Sequence, residues 1–139
     1  MEITVVTLID TSIWIDFTRR RSPERLKRFV APYLFDASAH LAAPVTFELL
    51  RDATEQEFAA LTAHLATFPT LPTPENIWHR AASLGRRCRK AGHTAGSLDL
   101  LIATVALAHD AVLVTLDDDF EKIARCGGPK VKLLRRPAT

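Results

Sequence analysis

Cysteine is scarce in this chain of 139 residues, with only Cys88 and Cys126 present. Two cysteines make neither a disulfide framework nor a zinc pattern, which excludes a stapled extracellular scaffold and points to a reducing compartment. No segment reaches the roughly 18 consecutive apolar residues of a membrane span, so no membrane partner is expected. No basic region precedes the first apolar run, so the opening residues do not read as a secretory signal, and a cytoplasmic location is expected. An HExxH pattern is missing, and His40, His64, His79, His93 and His109 lack ligand spacing, which argues against a zinc hydrolase. Aromatic residues make up 7% of the chain and do not cluster near its acids, so the sugar platforms of a glycosidase are absent. Internal repeats, linkers and low-complexity stretches are also absent, and a single domain over residues 1–139 is expected.

What is present is an ordinary globular composition, 47% hydrophobic and 24% charged, enough for a core without staples. The net charge is only +2, but the cations are blocked. Arg19, Arg20, Arg21, Arg25, Lys27 and Arg28 form one block. Arg80, Arg86, Arg87, Arg89 and Lys90 form a second, and Lys130, Lys132, Arg135 and Arg136 a third at the tail. Each block alone reads as a solvated helix face or a frayed end. Three of them around an acidic site suit a polyanion whose phosphates meet the basic rim.

Apolar runs of strand length alternate with longer helical patterns. Ile3–Ile9 is rich in Val, Ile and Thr and fits a buried strand. Thr11–Thr18 is a short helix with Ile13, Trp14 and Phe17 on one side, and Asp16 is expected to face solvent or cap locally. Ser22 and Pro23 read as N-cap and first position of a helix through about Ala31. His40–Ala43 is a strand, and Pro44 leads into a helix. Thr54 to Glu57 is a capping box that opens a helix with Phe58, Leu61, Leu65 and Phe68 at helical spacing. Thr70–Pro72 is a short edge strand. Thr73-Pro74 is an N-cap plus first-turn proline, ahead of an Ile77, Ala81, Leu84, Cys88 face that ends at Gly92. Ser97 caps a helix that is apolar nearly all round over Leu98–Ala108. Val112–Thr115 is a strand, Asp117–Arg125 a short helix, and Val131–Leu134 the last strand. This order predicts an α/β protein, a three-layer α/β/α sandwich around a mostly parallel sheet of four or five strands.

The acids fall at telling places in that pattern. Asp10 and Asp117 each follow a strand directly, Glu48 follows the short strand after Pro44, and Asp99 lies in a helix's first turn. In open α/β sheets the active site lies beyond the carboxyl ends of the strands, so one cleft can receive all four. Carboxylates in apolar surroundings are costly unless paired, protonated or bound to a cation. Oxygen ligands suit Mg²⁺ or Mn²⁺, which activate water and stabilise a phosphodiester transition state. Each acid also has a bland role: Asp10 as a turn residue, Asp99 as a favourable charge at a helix start, Asp117 as an N-cap followed by Asp118 and Asp119, and Glu48 as a surface residue.

The surrounding motifs run nearly the length of the chain. They are Leu8–Asp16 around the first acid, Ala43–Arg51 around the second, Gly92–Thr94 with Leu98–Thr104 around the third, and Leu113–Phe120 around the fourth. In this order the chain resembles PIN-domain proteins, and is most similar to the VapC-type toxins of toxin–antitoxin systems. The resemblance implies a PIN-like sandwich and a Mg²⁺- or Mn²⁺-dependent endoribonuclease. It carries over Asp10, Glu48, Asp99 and Asp117 as metal-site acids, with Asp10 and Asp99 the most direct ligands and Asp119 either a substitute or an additional acid in the fourth position. Thr11, Ser12 and Thr115 are implied to hydrogen-bond the acids. An RNA substrate, a VapB-like antitoxin and a homodimer are implied as partners. Asp52 departs from the glycine that many relatives carry there.

Two rivals are weaker. A haloacid dehalogenase-type phosphatase or phosphotransferase would need a second Asp two places after the first, where Ser12 stands. A catalytically idle PIN fold, binding RNA or protein, would not need acids at every motif position. A housekeeping PIN nuclease rather than a toxin remains open. Cys88, on an apolar helical face, reads as a core thiol and not as a nucleophile.

Overall fold

The structure is a computed structural model, and it describes residues 5–138. Among these, five strands form one sheet, β1 (Thr7–Ile9), β2 (Ala39–Ala42), β3 (Thr70–Leu71), β4 (Val112–Thr115) and β5 (Val131–Leu133). Seven helices connect them: α1 (Thr11–Thr18), α2 (Glu24–Leu34), α3 (Ala43–Arg51), α4 (Glu55–Leu65), α5 (Ile77–Lys90), α6 (Ser97–Ala108) and α7 (Asp119–Arg125). The strand order is β3-β2-β1-β4-β5, and every pair is parallel. Parallel neighbours need crossover helices, and right-handed crossovers place α1–α4 on one face and α5–α7 on the other. The expected three-layer sandwich is therefore present, with five strands and no antiparallel pair among the described residues.

Its core is built from strand residues buried on both sides, among them Leu8, Ile9, Leu41 and Leu113, and from helix faces carrying Ile13, Trp14, Leu84, Ile102, Phe120 and Ile123. Trp14 is fully enclosed and meets Phe68 edge-on at 4.8 Å. Cys88 is buried in the same core, as expected, and burial pushes its thiol up to about 11. That proton affinity removes it from nucleophilic duty. None of the described helices is long and apolar enough to cross a membrane.

Several element boundaries differ from the sequence reading, each for a local reason. The first three residues of the expected strand Ile3–Ile9 divide differently: Ile3 and Thr4 lie outside the described residues, and Val5 is exposed ahead of the ladder, which starts at Thr7. Helix α2 begins at Glu24 and continues past Pro32 to Leu34. The burial of Val30 and Leu34 outweighs the hydrogen bond that Pro32 cannot donate, because the proline falls in the last turn. Helix α5 starts at Ile77 and not at the Thr73-Pro74 cap, since Asn76 sits at φ −101° and ψ 30°, outside helical geometry. Gly96, not Ser97, is the N-cap of α6, its carbonyl accepting the first helical bond from Leu100 at 3.0 Å.

Asp16 also departs from expectation. It is only 6% exposed, and both carboxylate oxygens accept from Arg136, at 2.8 and 3.2 Å. The arginine comes from the tail beyond β5, so the pair straps that tail across α1. A buried carboxylate requires such a partner. One cation of the third basic block is thereby a structural residue and not part of a phosphate-binding rim. Replacing Arg136 with Ala strands the Asp16 charge and should lower unfolding free energy by roughly 1–3 kcal/mol. Arg136→Ala combined with Asp16→Asn should recover much of it. Urea titrations of the three chains measure both, and an Arg136→Ala chain as stable as wild type would show the strap to be idle.

Candidate metal centre

The crossover topology brings the carboxyl ends of β1 and β4 side by side. Asp10 follows β1, and its backbone N–H donates to the Val114 carbonyl of β4 at 2.9 Å. It is the N-cap of α1, and its Oδ2 accepts from the Ser12 amide at 3.3 Å and the Ser12 hydroxyl at 2.8 Å. The Thr115 hydroxyl, at the end of β4, donates to the same oxygen at 2.8 Å. Both hydroxyls then accept from the chain beyond β4: Ser12 Oγ from the Leu116 amide at 3.0 Å, and Thr115 Oγ1 from the Asp117 amide at 2.9 Å. A closed lacing of donors and acceptors thus sets the backbone that presents Asp117.

The other acids arrive from neighbouring elements. Glu48 of α3 accepts from the Thr11 hydroxyl at 2.7 Å, which ties α3 to α1 beside Asp10. Asp99 lies in the first turn of α6. Asp117 Oδ1 accepts from the Asp119 amide at 2.9 Å, so the turn into α7 holds these two acids in fixed relation. The N-cap of α7 is Asp118, without a side-chain capping bond. Asp117 therefore braces the helix start from one residue further out than a cap.

Asp99, Asp117 and Asp119 offer carboxylate oxygens that all lie within 4.8 Å of one another. Oxygens on opposite sides of an ion with bonds of about 2.1–2.4 Å would be about 4.2–4.8 Å apart, so the spacing fits one hard divalent cation. Among the residues gathered here, then, the tightest cluster contains Asp119, while Asp10 has one oxygen committed to Ser12 and Thr115. This differs in emphasis from the resemblance, which put Asp10 and Asp99 first.

The electrostatics show the same crowding. Asp99 is raised to about 7, first by burial and then by the charges of Asp10, Asp117, Glu48 and Asp119. Asp10 is also raised, by burial, against the lowering effect of its bonds from Ser12 and Thr115. Among the described residues, the one cation in an ion pair with a member of this group is Lys122, 3.4 Å from Asp119 and largely exposed. A site with this much uncompensated negative charge and only oxygen donors is suited to Mg²⁺, Mn²⁺ or a similar ion.

Beside Glu48 a cavity of about 400 Å³ opens between α1, α3 and α4, with Phe17, Leu61 and His64 among its lining and Arg19 and Arg20 at hand. The second basic block lies along α5, and its last members, Arg89 and Lys90, precede the turn into α6 and Asp99.

The PIN domain model matches residues 7–125 of this chain. The chain belongs to the PIN-domain family. Among curated proteins this PIN domain is similar to ribonuclease VapC11 of Mycobacterium tuberculosis, 34% identical over 123 residues that cover 85% of this chain and 91% of the relative. Ribonuclease VapC19 of the same organism is 34% identical over 110 residues, 78% of this chain and 86% of the relative. Among solved structures, VapBC2 from Rickettsia felis bound to a promoter DNA fragment superposes with a TM-score of 0.73 at 19% identity, over 94% of this chain and 99% of that one. FitAcB from Neisseria gonorrhoeae gives 0.68 at 19% identity, over 91% and 96%. These structural likenesses establish the PIN fold.

The Asp99 carboxyl makes a signed prediction for the metal-free PIN domain. In the unfolded chain an Asp ionises near its ordinary value of 3.8, whereas the folded Asp99 keeps its proton up to about 7. Between these values the unfolded state releases a proton that the folded state retains, so stability falls as pH rises through the window. Thermal midpoints in EDTA should therefore drop from pH 4.5 to pH 8, after allowance for other groups by comparison with Asp99→Asn. Added Mn²⁺ should raise the midpoint more at pH 8 than at pH 5, because protons and metal compete for the same oxygens. A metal shift that is equal at both pH values would place the ion elsewhere.

Proposed function

We propose that this PIN-domain protein is a Mg²⁺- or Mn²⁺-dependent endoribonuclease of the VapC type, a toxin that hydrolyses RNA phosphodiester bonds and is neutralised by a VapB-like antitoxin. The observation that carries the reading is the gathering of Asp10, Glu48, Asp99, Asp117 and Asp119 at one strand-end edge, in a chain 34% identical to ribonucleases named VapC. Asp99, Asp117 and Asp119 would hold the ion, with Asp10 and Glu48 completing the acidic wall. When bound, the ion supplies Lewis acidity for water activation and for the developing charge on phosphate. Thr11, Ser12 and Thr115 fix the acids by the bonds described above, which keeps carboxylates in place that would otherwise splay apart. Arg19 and Arg20, and from the end of α5 Arg89 and Lys90, would contact RNA phosphates. Hydrolysis by water leaves a 5′-phosphate and a 3′-hydroxyl.

The cavity between α1, α3 and α4 supports the antitoxin reading. Its apolar lining, including Leu49 and Leu61, suits a partner helix or strap, and Glu48 stands in its wall. A segment seated there and ending in a cation would meet the acids directly and exclude substrate. From residues 51–68 the groove takes Asp52, Ala53, Gln56, Glu57, Ala60, Leu61 and His64. A homodimer in the cytoplasm completes the proposal.

Labelled total RNA should be cut by the purified protein in Mg²⁺ or Mn²⁺, with at least a hundredfold loss in EDTA, in Asp10→Asn and in Asp99→Asn, about the scale of removing a key electrostatic group. Sequencing the ends would identify the target. Cleavage that persists unchanged in EDTA or in both variants would sink the assignment. Intact RNA with metal demonstrably bound would favour a non-catalytic binding module.

A further inference from the structure

Helix α3 has a buried side and an exposed stripe. Pro44, Val45 and Leu49 enter the core, whereas Ala43, Phe47 and Arg51, spaced four apart, face water. Phe47 is 55% exposed and immediately precedes Glu48. The Arg51 guanidinium lies 5.7 Å from the centre of its ring, and Asp52 holds that guanidinium by bonds of 2.9 and 3.1 Å. Arg51 is also within electrostatic reach of Glu48. Helix α3 packs against α6, whose first turn carries Asp99. An aromatic ring and a steadied guanidinium therefore stand on the helix that carries Glu48, within one turn of that acid. The core does not use this ring. A lone exposed apolar residue is unremarkable in itself, but the guanidinium beside it and the acid next to it give this one a chemistry.

We propose that Phe47 is a platform on which one base of single-stranded RNA stacks beside the scissile phosphate, with Arg51 steadying the ring and drawing in the adjoining phosphate. The inference rests on the ribonuclease reading above. Aromatic faces accept any base, so the platform would position the strand without selecting sequence, and a stacked base limits the rotation of the phosphate next to it. Asp52 takes Nε and Nη2 of the Arg51 guanidinium, which leaves Nη1 to donate to a phosphate oxygen of the backbone. RNA suits the stripe better than an apolar protein partner does, because two of its three exposed positions are a cation and an alanine, leaving little apolar area to bury.

The test uses a labelled single-stranded oligonucleotide containing a mapped cleavage site, together with versions carrying one abasic nucleotide at successive positions. Phe47→Ala should raise KM about tenfold, the order expected for losing one stacked base. Phe47→Trp should restore affinity and Phe47→Leu, similar in hydrophobicity but without a π face, should not. In wild type, one abasic position next to the cut should weaken binding by a similar factor, and in Phe47→Ala that position should cost nothing further. Arg51→Ala should reduce the salt dependence of binding by about one phosphate contact. The ring is exposed, so thermal midpoints should not move.

Wild-type behaviour in Phe47→Leu, or an abasic penalty that survives in Phe47→Ala, would overturn the platform while leaving the ribonuclease intact. The same holds if Phe47→Ala changes the mass measured by light scattering with RNA affinity unaltered, since the ring would then be a protein contact. A wild-type protein that neither binds nor cuts any RNA would remove the ribonuclease reading, and the platform with it.

Discussion

Mutual repulsion among carboxylates at one edge of the sheet is the constraint to which the rest of this PIN domain answers. Asp99 holds its proton to about 7 because burial and four neighbouring acids act on it together. Such a cluster survives folding only where the scaffold supplies positive potential and fixed donors. Three helices begin at this edge with an acid at or near their start: Asp10 caps α1, Asp99 is in the first turn of α6, and Asp119 is in that of α7. The unpaired amides of a helix N-terminus favour negative charge. Parallel strands make this arrangement natural for α1 and α7, which follow β1 and β4, while α6 starts at the same edge because it runs back to the beginning of β4.

Fixed donors do the rest. Asp10 sits among the hydroxyls of Ser12 and Thr115, and these hydroxyls accept in turn from the amides of Leu116 and Asp117. The chain thus orients one acid with the same hydrogen bonds that shape the loop presenting the next. Glu48 is drawn to the group by Thr11 from the same helix turn. Asp99, Asp117 and Asp119 are held at distances one ion can bridge, instead of relaxing into solvent. Stability given up at the cleft is recovered in the enclosed core around Trp14 and in the strap that Arg136 throws to Asp16.

Much of this was legible locally. The Thr54–Glu57 capping box forms both of its reciprocal bonds, at 3.2 Å each, because everything it needs lies within four residues. The apolar runs give the strands, and the alternation with helical faces gives the parallel sheet. The first-turn position of Asp99 follows from Leu98–Ala108 as well. The boundaries that differ are those where burial competes with a breaker, as at Pro32, or where a single residue leaves helical geometry, as at Asn76. Local rules weigh a proline or a cap, but not the packing several ångströms away that outweighs it.

By itself the sequence determined the α/β class, the strand-end placement of Asp10 and Asp117 and the set of acids from which a site could be made, because these depend on periodicity and on neighbours along the chain. Only the tertiary structure decided which acids come closest. It brought Asp119 to Asp99 and Asp117, turned Asp10 towards Ser12 and Thr115, and left Phe47 in water beside Glu48. It also made Asp16 a buried partner of Arg136, 120 residues away, where a local reading places it in solvent. Such pairings are set by the order of strands in the sheet and by desolvation, and neither is written in any short stretch of the chain.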